Sequence, residues 1–431
     1  MIIGIAIIVV FLVFALLMYL NKLPALIALP LMAVSIALAA GISVPEVLTA
    51  IVAQGSYRLA VPIVTVIFGA ILAQFIEDTG IARTIIRSAS EFASDRPFVL
   101  LTLLTIVIAA LFSVLGGLGA VIMIATIVFP IMLSLGIPRI VAACSFLIGM
   151  SLGGIFNLVN WQLYISVLGL SSSEVLSYAL YFAPFMFIGA LAFIIIELSR
   201  GGVDQLHAKK MVKKEVSEPW YSLFTPIIPI VLVFGFSIYN LVIRPPQPFE
   251  FPIIPAIIIG LLFGILTVRK KKIGRVQMLA KASIEGVSKV GPAILLLIGI
   301  GMILTATTHP KVAWSVAPLL LNVLHNNPIY YVAFFGLLAP LALYRGPLNI
   351  WGLGTGFIGL LLATKALPVL AIMAAFLSVG QIQGVCDPTN THNIWIANYL
   401  GVSTQKILRK TIPYIWIVAL VGLIIAGIRY F

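Results

Sequence analysis

Polar residues able to hold a small ion are gathered at four places in a chain that is otherwise almost uniformly apolar. One is the run containing Gly153, Gly154, Asn157, Asn160, Trp161, Gln162 and Tyr164. A second contains Gln381, Gln383, Gly384, Asp387, Pro388, Thr389, Asn390, Thr391, His392 and Asn393. The other two are interruptions in long apolar stretches: Ser113 to Gly119, with Gly116 and Gly117, and Tyr344 to Asn349, with Arg345, Gly346 and Pro347. Pro388 lacks an amide hydrogen and cannot continue a helix, so carbonyls upstream of it are freed. Where broken helices meet at mid-membrane, their N-terminal ends favour anions and their free carbonyls favour cations. The four places together therefore suit an anion bound beside a coupling cation.

The candidate substrate contacts are Ser113, Gly116, Gly117, Asn157, Asn160, Gln162, Arg345, Asn349, Thr389, Asn390, Thr391, His392 and Asn393. The candidate coupling-ion contacts are Asp387, Gly116, Asn157 and Gln383, and sodium is the one metal ion considered. Each residue also has a plainer use. Asn, Gln and Thr inside a membrane join neighbouring helices by hydrogen bonds, and His392 suits a packed core position, a proton acceptor or a substrate donor. Asp387 suits a proton carrier, a sodium ligand or a helix cap. Glu77 and Asp78 fall at a span end and read as interfacial. An arginine at the bilayer centre costs at least about 2.5 to 3.5 kcal/mol and cannot shed its charge, so Arg345 requires an anionic partner. Asp387 and a substrate carboxylate are the two choices.

The elements that carry these residues are membrane spans. Of 431 residues, 62% are hydrophobic and 9% charged, more apolar surface than a soluble domain can hide. Apolar stretches near 2–20, 23–41, 60–78, 139–170, 175–197, 222–243, 251–267, 290–307, 368–400 and 406–429 match the roughly 20 residues a helix needs to cross hydrocarbon. The first carries no basic residue ahead of it and no small-residue cleavage site, and reads as a retained span. Two further stretches, 97–136 and 328–366, are too long for one helix and are interrupted midway, the pattern of re-entrant hairpins. Cys144 and Cys386 read as packed free thiols. No nucleophile–base pair, phosphate loop or metal spacing suggests an enzyme, and no cofactor is expected.

Lys and Arg collect in cytoplasmic loops. The loop 198–221 holds Arg200, Lys209, Lys210, Lys213 and Lys214, which sets it inside. Counting spans from it sends Arg83, Arg87, Arg96, Arg269 to Lys272, Arg275, Lys281, Lys406, Arg409 and Lys410 inside too and both termini outside. The net charge of +13 is then a consequence of topology rather than of nucleic-acid binding.

The chain also repeats at a shift of about 230 residues: Pro62 falls on Pro292, Gly116 on Gly346, Leu118 on Leu348 and Pro138 on Pro368. With a slip of two, Val167 to Ser171 falls on Tyr399 to Ser403. The expected fold class is an all-α polytopic membrane protein of two repeats, 1–197 and 222–431, joined by the linker 198–221. Each repeat has five spans, one broken, plus one hairpin. An odd span number inverts the second repeat relative to the first, with a midplane site between them.

This order of hairpin, broken span and closing span resembles the ion transporter superfamily, which includes citrate and other carboxylate symporters, gluconate permeases and divalent-anion/sodium symporters. The segment Asn390 to Trp395, followed by Tyr399 to Ser403, is similar to the late motif of gluconate permeases. The run Gly117 to Pro130 is similar to the returning arm of the first hairpin in these families, citrate transporters included. The resemblance implies an elevator-type carrier of the cell membrane, usually a homodimer, moving a carboxylate with Na+ or H+. Gly116-Gly117 and Gly346-Pro347 stand where the divalent-anion symporters have Ser-Asn-Thr triplets. The alternative within the same fold is a cation/proton antiporter with no organic substrate, against which Arg345 argues.

Overall fold

A computed structural model describes residues 2–20, 22–93, 96–201, 218–269, 274–324 and 326–431. Among them there is no strand. That follows from the solvent, because hydrocarbon offers no partner to a backbone N–H or C=O and a helix satisfies all of them within one segment. Lys209, Lys210, Lys213, Lys214 and Lys270 to Lys272, on which part of the topology expectation rests, lie outside the described residues.

The first half of the chain begins with α1 (Ile2–Tyr19) and α2 (Ala25–Ala39). A short arm follows, formed by α3 (Val44–Glu46), a π-helical stretch (Val47–Gln54) and α4 (Gly55–Tyr57). Next come α5 (Ala60–Thr79), α6 (Ile81–Ala93), α7 (Pro97–Phe112), α8 (Gly117–Ser134), α9 (Arg139–Ile155), α10 (Leu158–Leu168) and α11 (Ser172–Gly201). The second half, after a 3-10 turn at Trp220–Phe224, lays down α12 (Ile227–Ile243), α13 (Ile253–Thr267), α14 (Arg275–Lys289), α15 (Gly291–Thr308) and α16 (Pro310–Val323). It continues with α17 (Pro328–Leu338), a 3-10 segment (Ala339–Arg345), α18 (Gly354–Thr364), α19 (Val369–Cys386), α20 (Thr391–Leu400) and α21 (Thr404–Tyr430).

Eight of the described helices are long and apolar enough to cross a membrane, nine if α9 and α10, bent by 48° at their junction, count as one span. Three expected spans, at α2, α12 and α13, form helices of 15, 17 and 15 residues. The short helices α6 and α16 were not expected. Both are strongly amphipathic, and Arg83, Arg87 and Glu91 on α6 hide its apolar stripe from a search for unbroken hydrophobic runs.

Residues 230 apart, or 232 apart after the slip of two, take matching backbone conformations. Pro138 opens α9 and Pro368 opens α19, both at φ −57°, ψ 137°. Gly169 ends α10 at φ 69° and Gly401 ends α20 at φ 66°, the left-handed cap that glycine adopts without strain. Packing matches as well: α2 lies against α15 as α13 lies against α5. The arm that ends at α4 touches α15 where α14 touches α5, each contact made at a glycine. A Cβ on Gly55 would come within 2.9 Å of Met302 Cα, and one on Gly286 within 2.8 Å of Ala70 O. The last helices of the two halves, α11 and α21, are joined at one end by Lys410 and the buried Glu197, which also accepts from Tyr414 Oη at 3.1 Å.

Both long stretches expected as re-entrant hairpins form two helices with a break where the interruption was read, and one helical piece of each, Gly117–Ser134 and Pro328–Arg345, is itself long and apolar enough to cross a membrane. The tips differ. The first is a short turn closed by Gly117 at φ 81°. The second is longer, running irregularly from Gly346 to Leu353 before α18 begins, and it sets Tyr344 and Arg345 at φ 56°, where side chains are rarely tolerated.

Candidate functional site

Two broken spans and two tips converge on one cavity of about 360 Å³. The first break follows Ile155. Asn157 sits extended at φ −72°, ψ 119°, and its Oδ1 accepts from the amides of Val159 and Asn160, each at 3.1 Å, capping α10. Its Nδ2 donates to Phe112 O at 2.7 Å and Leu115 O at 3.0 Å, the main chain of the first tip. One side chain therefore closes the break and fixes the hairpin to it.

The second break follows Cys386, and the residue 230 positions after Asn157 is Asp387. It has nearly the same backbone, φ −68°, ψ 113°, and it is fully buried. Oδ1 accepts from Thr389 N at 2.9 Å and Thr389 Oγ1 at 2.6 Å, while Oδ2 accepts from Arg345 N, the tip residue equivalent to Leu115, at 3.4 Å. Beyond it the side chains of the break reach back to its own carbonyls. Asn390 Nδ2 donates to Gln383 O at 2.7 Å, and Asn393 Nδ2 donates to Val385 O at 3.0 Å and Asp387 O at 2.9 Å. His392 Nε2 stands 3.4 Å from Gly384 O. These bonds satisfy groups that the missing helical turn leaves open.

The two halves touch directly at the cavity floor. Ser151 Oγ donates to Gln381 Oε1 at 2.7 Å, and these residues too are 230 apart. Such a bond between equivalent positions arises where a twofold relation between the halves would have its axis.

Of the residues singled out in the sequence, Gly116, Gly117, Asn157, Asn160, Gln383, Arg345, Asn349, Asn390, Thr391 and His392 line the cavity. Ser113, Gln162, Thr389, Asn393 and Asp387 do not. Ser113 Oγ is turned back to Ala110 O, Gln162 Nε2 to Ser166 Oγ, and Thr389 is spent on Asp387. Trp351 lines the wall, whereas Trp161 stacks on Phe234 and Trp395 on Tyr399. Glu77 and Asp78 face α14 instead. Glu77 pairs with Lys289 at 3.0 Å, and Gln74, one turn earlier, donates to Asp78 at 2.9 Å.

Ser151, Gln381 and Tyr164 belong to the wall without having been chosen as contacts. Ser151 is a single hydroxyl in an apolar helix, and the only signal for it was its register with Gln381.

The wall carries two groups that bear or accept positive charge, Arg345 and His392, and no carboxylate. Arg345 meets Asp387 through its main-chain amide, so among the described residues no carboxylate pairs with its guanidinium. Asn349, 2% exposed, accepts at Oδ1 from Trp351 N at 2.9 Å, and its buried Nδ2 has no partner among the described residues. A guanidinium on a wall with no paired carboxylate favours an anionic guest. At the first tip Gly116 and Gly117 are exposed, whereas at the second Leu348, Asn349 and Ile350 are buried and Tyr344 packs edge-on against Tyr19, centroids 5.1 Å apart.

No protein-family model matches this chain, and no curated protein matches it. Among solved structures, the chain is similar to the YdaH transporter of Alcanivorax borkumensis, described as having an unusual topology. The likeness has a TM-score of 0.57 at 16% identity and covers 89% of this chain and 88% of that one. It shows a shared fold over nearly the whole chain.

Proposed function

We propose that this protein is a secondary active transporter of a small organic anion, a di- or tricarboxylate such as citrate or a sugar acid such as gluconate, taken up by symport with Na+ or H+. The observation that carries this reading is the cavity wall itself, which includes Arg345 and Asn349 and, among the described residues, no carboxylate to neutralise the guanidinium. The fold it shares with a transporter supports the same class. The recurring element order and the Ser151 to Gln381 bond support two repeats of inverted topology, with the cavity at their interface. The protein works in the cell membrane as a homodimer by an elevator motion, as the resemblance implies, and the exposed first tip is then the side open to the cytoplasm.

The decisive experiment is uptake into proteoliposomes of radiolabelled citrate, succinate and gluconate, with and without a sodium or pH gradient. At least one acid should accumulate under a gradient and collapse with an ionophore. Absence of gradient-driven uptake for all three, together with sodium–proton exchange by the same vesicles, would transfer the protein to the antiporters. Orientation has its own test. A cysteine at Gln247 should react with an impermeant thiol reagent in intact cells, and one at Lys209 should be protected; labelling of both from outside would contradict the inverted arrangement.

A further inference from the structure

The two breaks perform one task with different chemistry. Asn157 is an amide, so the atom it turns to the first tip is a donor, and Phe112 O and Leu115 O take its two hydrogens at 2.7 and 3.0 Å. Asp387 holds the same place in the second break, with the same backbone and the same contact to the residue two positions on. The atom it turns to the second tip is a carboxylate oxygen, which as an ion has nothing to donate. Its one link to the tip is the long bond from Arg345 N at 3.4 Å. It is fully buried, and among the described residues no cationic side chain pairs with it. An ionised carboxylate stranded in this way is costly. Adding one proton to Oδ2 removes the charge and restores the donor that Asn157 has at the equivalent atom.

Resting on the symport reading above, we propose that the coupling ion is a proton and that Asp387 carries it, the protonated side chain being the functional copy of Asn157. Sodium is disfavoured by the state of the surrounding oxygens. The carbonyls of Gln383, Gly384, Val385 and Asp387 each already face a side-chain nitrogen, and Oδ1 accepts twice from Thr389, which leaves, among the described residues, Asp387 Oδ2 and the unpartnered Asn393 Oδ1 as the open buried side-chain oxygens of the break, too few for the oxygen shell a hard cation takes. The coupling has a physical route. Arg345 bonds Asp387 through its main chain while its side chain lines the cavity. An anion bound there offsets the guanidinium charge, and the carboxyl group then keeps its proton more readily. By reciprocity, the protonated protein binds the anion more tightly. Substrate and proton enter together, and a single proton site per chain follows because Asn157 cannot titrate.

Few other ionisable groups compete for this role. His392 on α20 faces the same break with Nε2 towards Gly384 O, and Cys386 takes a hydrogen bond from Thr411 of α21. The helix α8 carries no ionisable side chain, and α10 carries Tyr164 alone. On α9, Cys144 is buried and Arg139 bonds Leu400 O at the far end of α20; on α21, Lys410 is held by Glu197.

The test requires no knowledge of the substrate. Infrared difference spectra of the protein in lipid, recorded as pH is lowered in sodium-free buffer, should show the carbonyl stretch of one buried carboxylic acid appearing, and Asp387→Asn should abolish that band. His392→Gln should leave the band in place. Sodium added at constant pH should not remove it. Absence of the band, its persistence in Asp387→Asn, or its removal by sodium would overturn the proton assignment. Failure of all three acids in the uptake assay would overturn the transport reading while leaving the spectra to decide the site. Where an acid is bound, its affinity should rise by up to about tenfold per unit fall in pH over the titration, the slope of one linked proton, and Asp387→Asn should flatten that dependence.

Discussion

Arg345→Lys is expected to raise the apparent substrate constant roughly tenfold or more, and Arg345→Gln to remove accumulation altogether. A charge-assisted, two-pronged contact is worth about 1.5 to 3 kcal/mol. Lysine keeps the charge but presents a point rather than a planar fork, so most of that amount is lost. The position makes the comparison unusually clean. Arg345 has φ 56°, and lysine meets the same backbone cost there as arginine, so the substitution does not relax or tighten the tip. The main-chain amide that reaches Asp387 is also the same in both variants. What changes is the group facing the cavity. Uptake of the best acid, measured as initial rate against concentration, would show the effect in KM first. Equal KM in wild type and Arg345→Lys would mean that the guanidinium does not touch the anion, and the choice of substrate class would lose its main support.

The second tip also marks the limit of what the sequence revealed. Hydrophobic run length located most of the spans, because a helix in hydrocarbon needs only apolar side chains and internal hydrogen bonds, although α2, α12 and α13 form shorter helices than expected. It missed α6 and α16, whose polar faces mimic loops. The register of 230 residues was legible from a few prolines and glycines, and the paired conformations of Pro138 with Pro368 and Gly169 with Gly401 show why those types recur: one starts a helix and the other ends it. Side-chain direction was not legible. Gln162 and Thr389 lie within a few residues of cavity-lining Asn160 and Asn390, yet Gln162 turns to Ser166 and Thr389 to Asp387. At a break the backbone leaves helical periodicity, so sequence spacing no longer tells which side a residue faces. Ser151 was overlooked for the opposite reason. It sits in regular helix, where a lone serine normally bonds its own backbone, and only its partner on the other half reveals its part in the wall.

The largest loss of stability is expected from Asn157→Ala. The side chain is 5% exposed and makes four hydrogen bonds, two accepted from the first turn of α10 and two donated to the first tip. Each is worth about 0.5 to 1.5 kcal/mol net, and a buried group left unpaired costs about 1 to 3 kcal/mol. Alanine leaves two amides and two carbonyls without this partner. The carbonyls are the harder pair to rescue, since Phe112 is buried and 4% exposed. A total of about 3 kcal/mol or more follows, a large fraction of the stability of an ordinary domain. Gln162→Ala supplies the contrast, because it removes one side-chain bond, to Ser166 at 3.2 Å, at a similar depth. Thermal denaturation in detergent should place Asn157→Ala well below Gln162→Ala, which should stay within about 1 kcal/mol of wild type. The effect should also be local. Cysteines placed in the first tip should gain reactivity in Asn157→Ala, while cysteines in the second tip should not, since Asp387 holds that one independently. Equal melting of the two variants, or loosening of both tips together, would mean that Asn157 is not what fixes the first hairpin to its broken span.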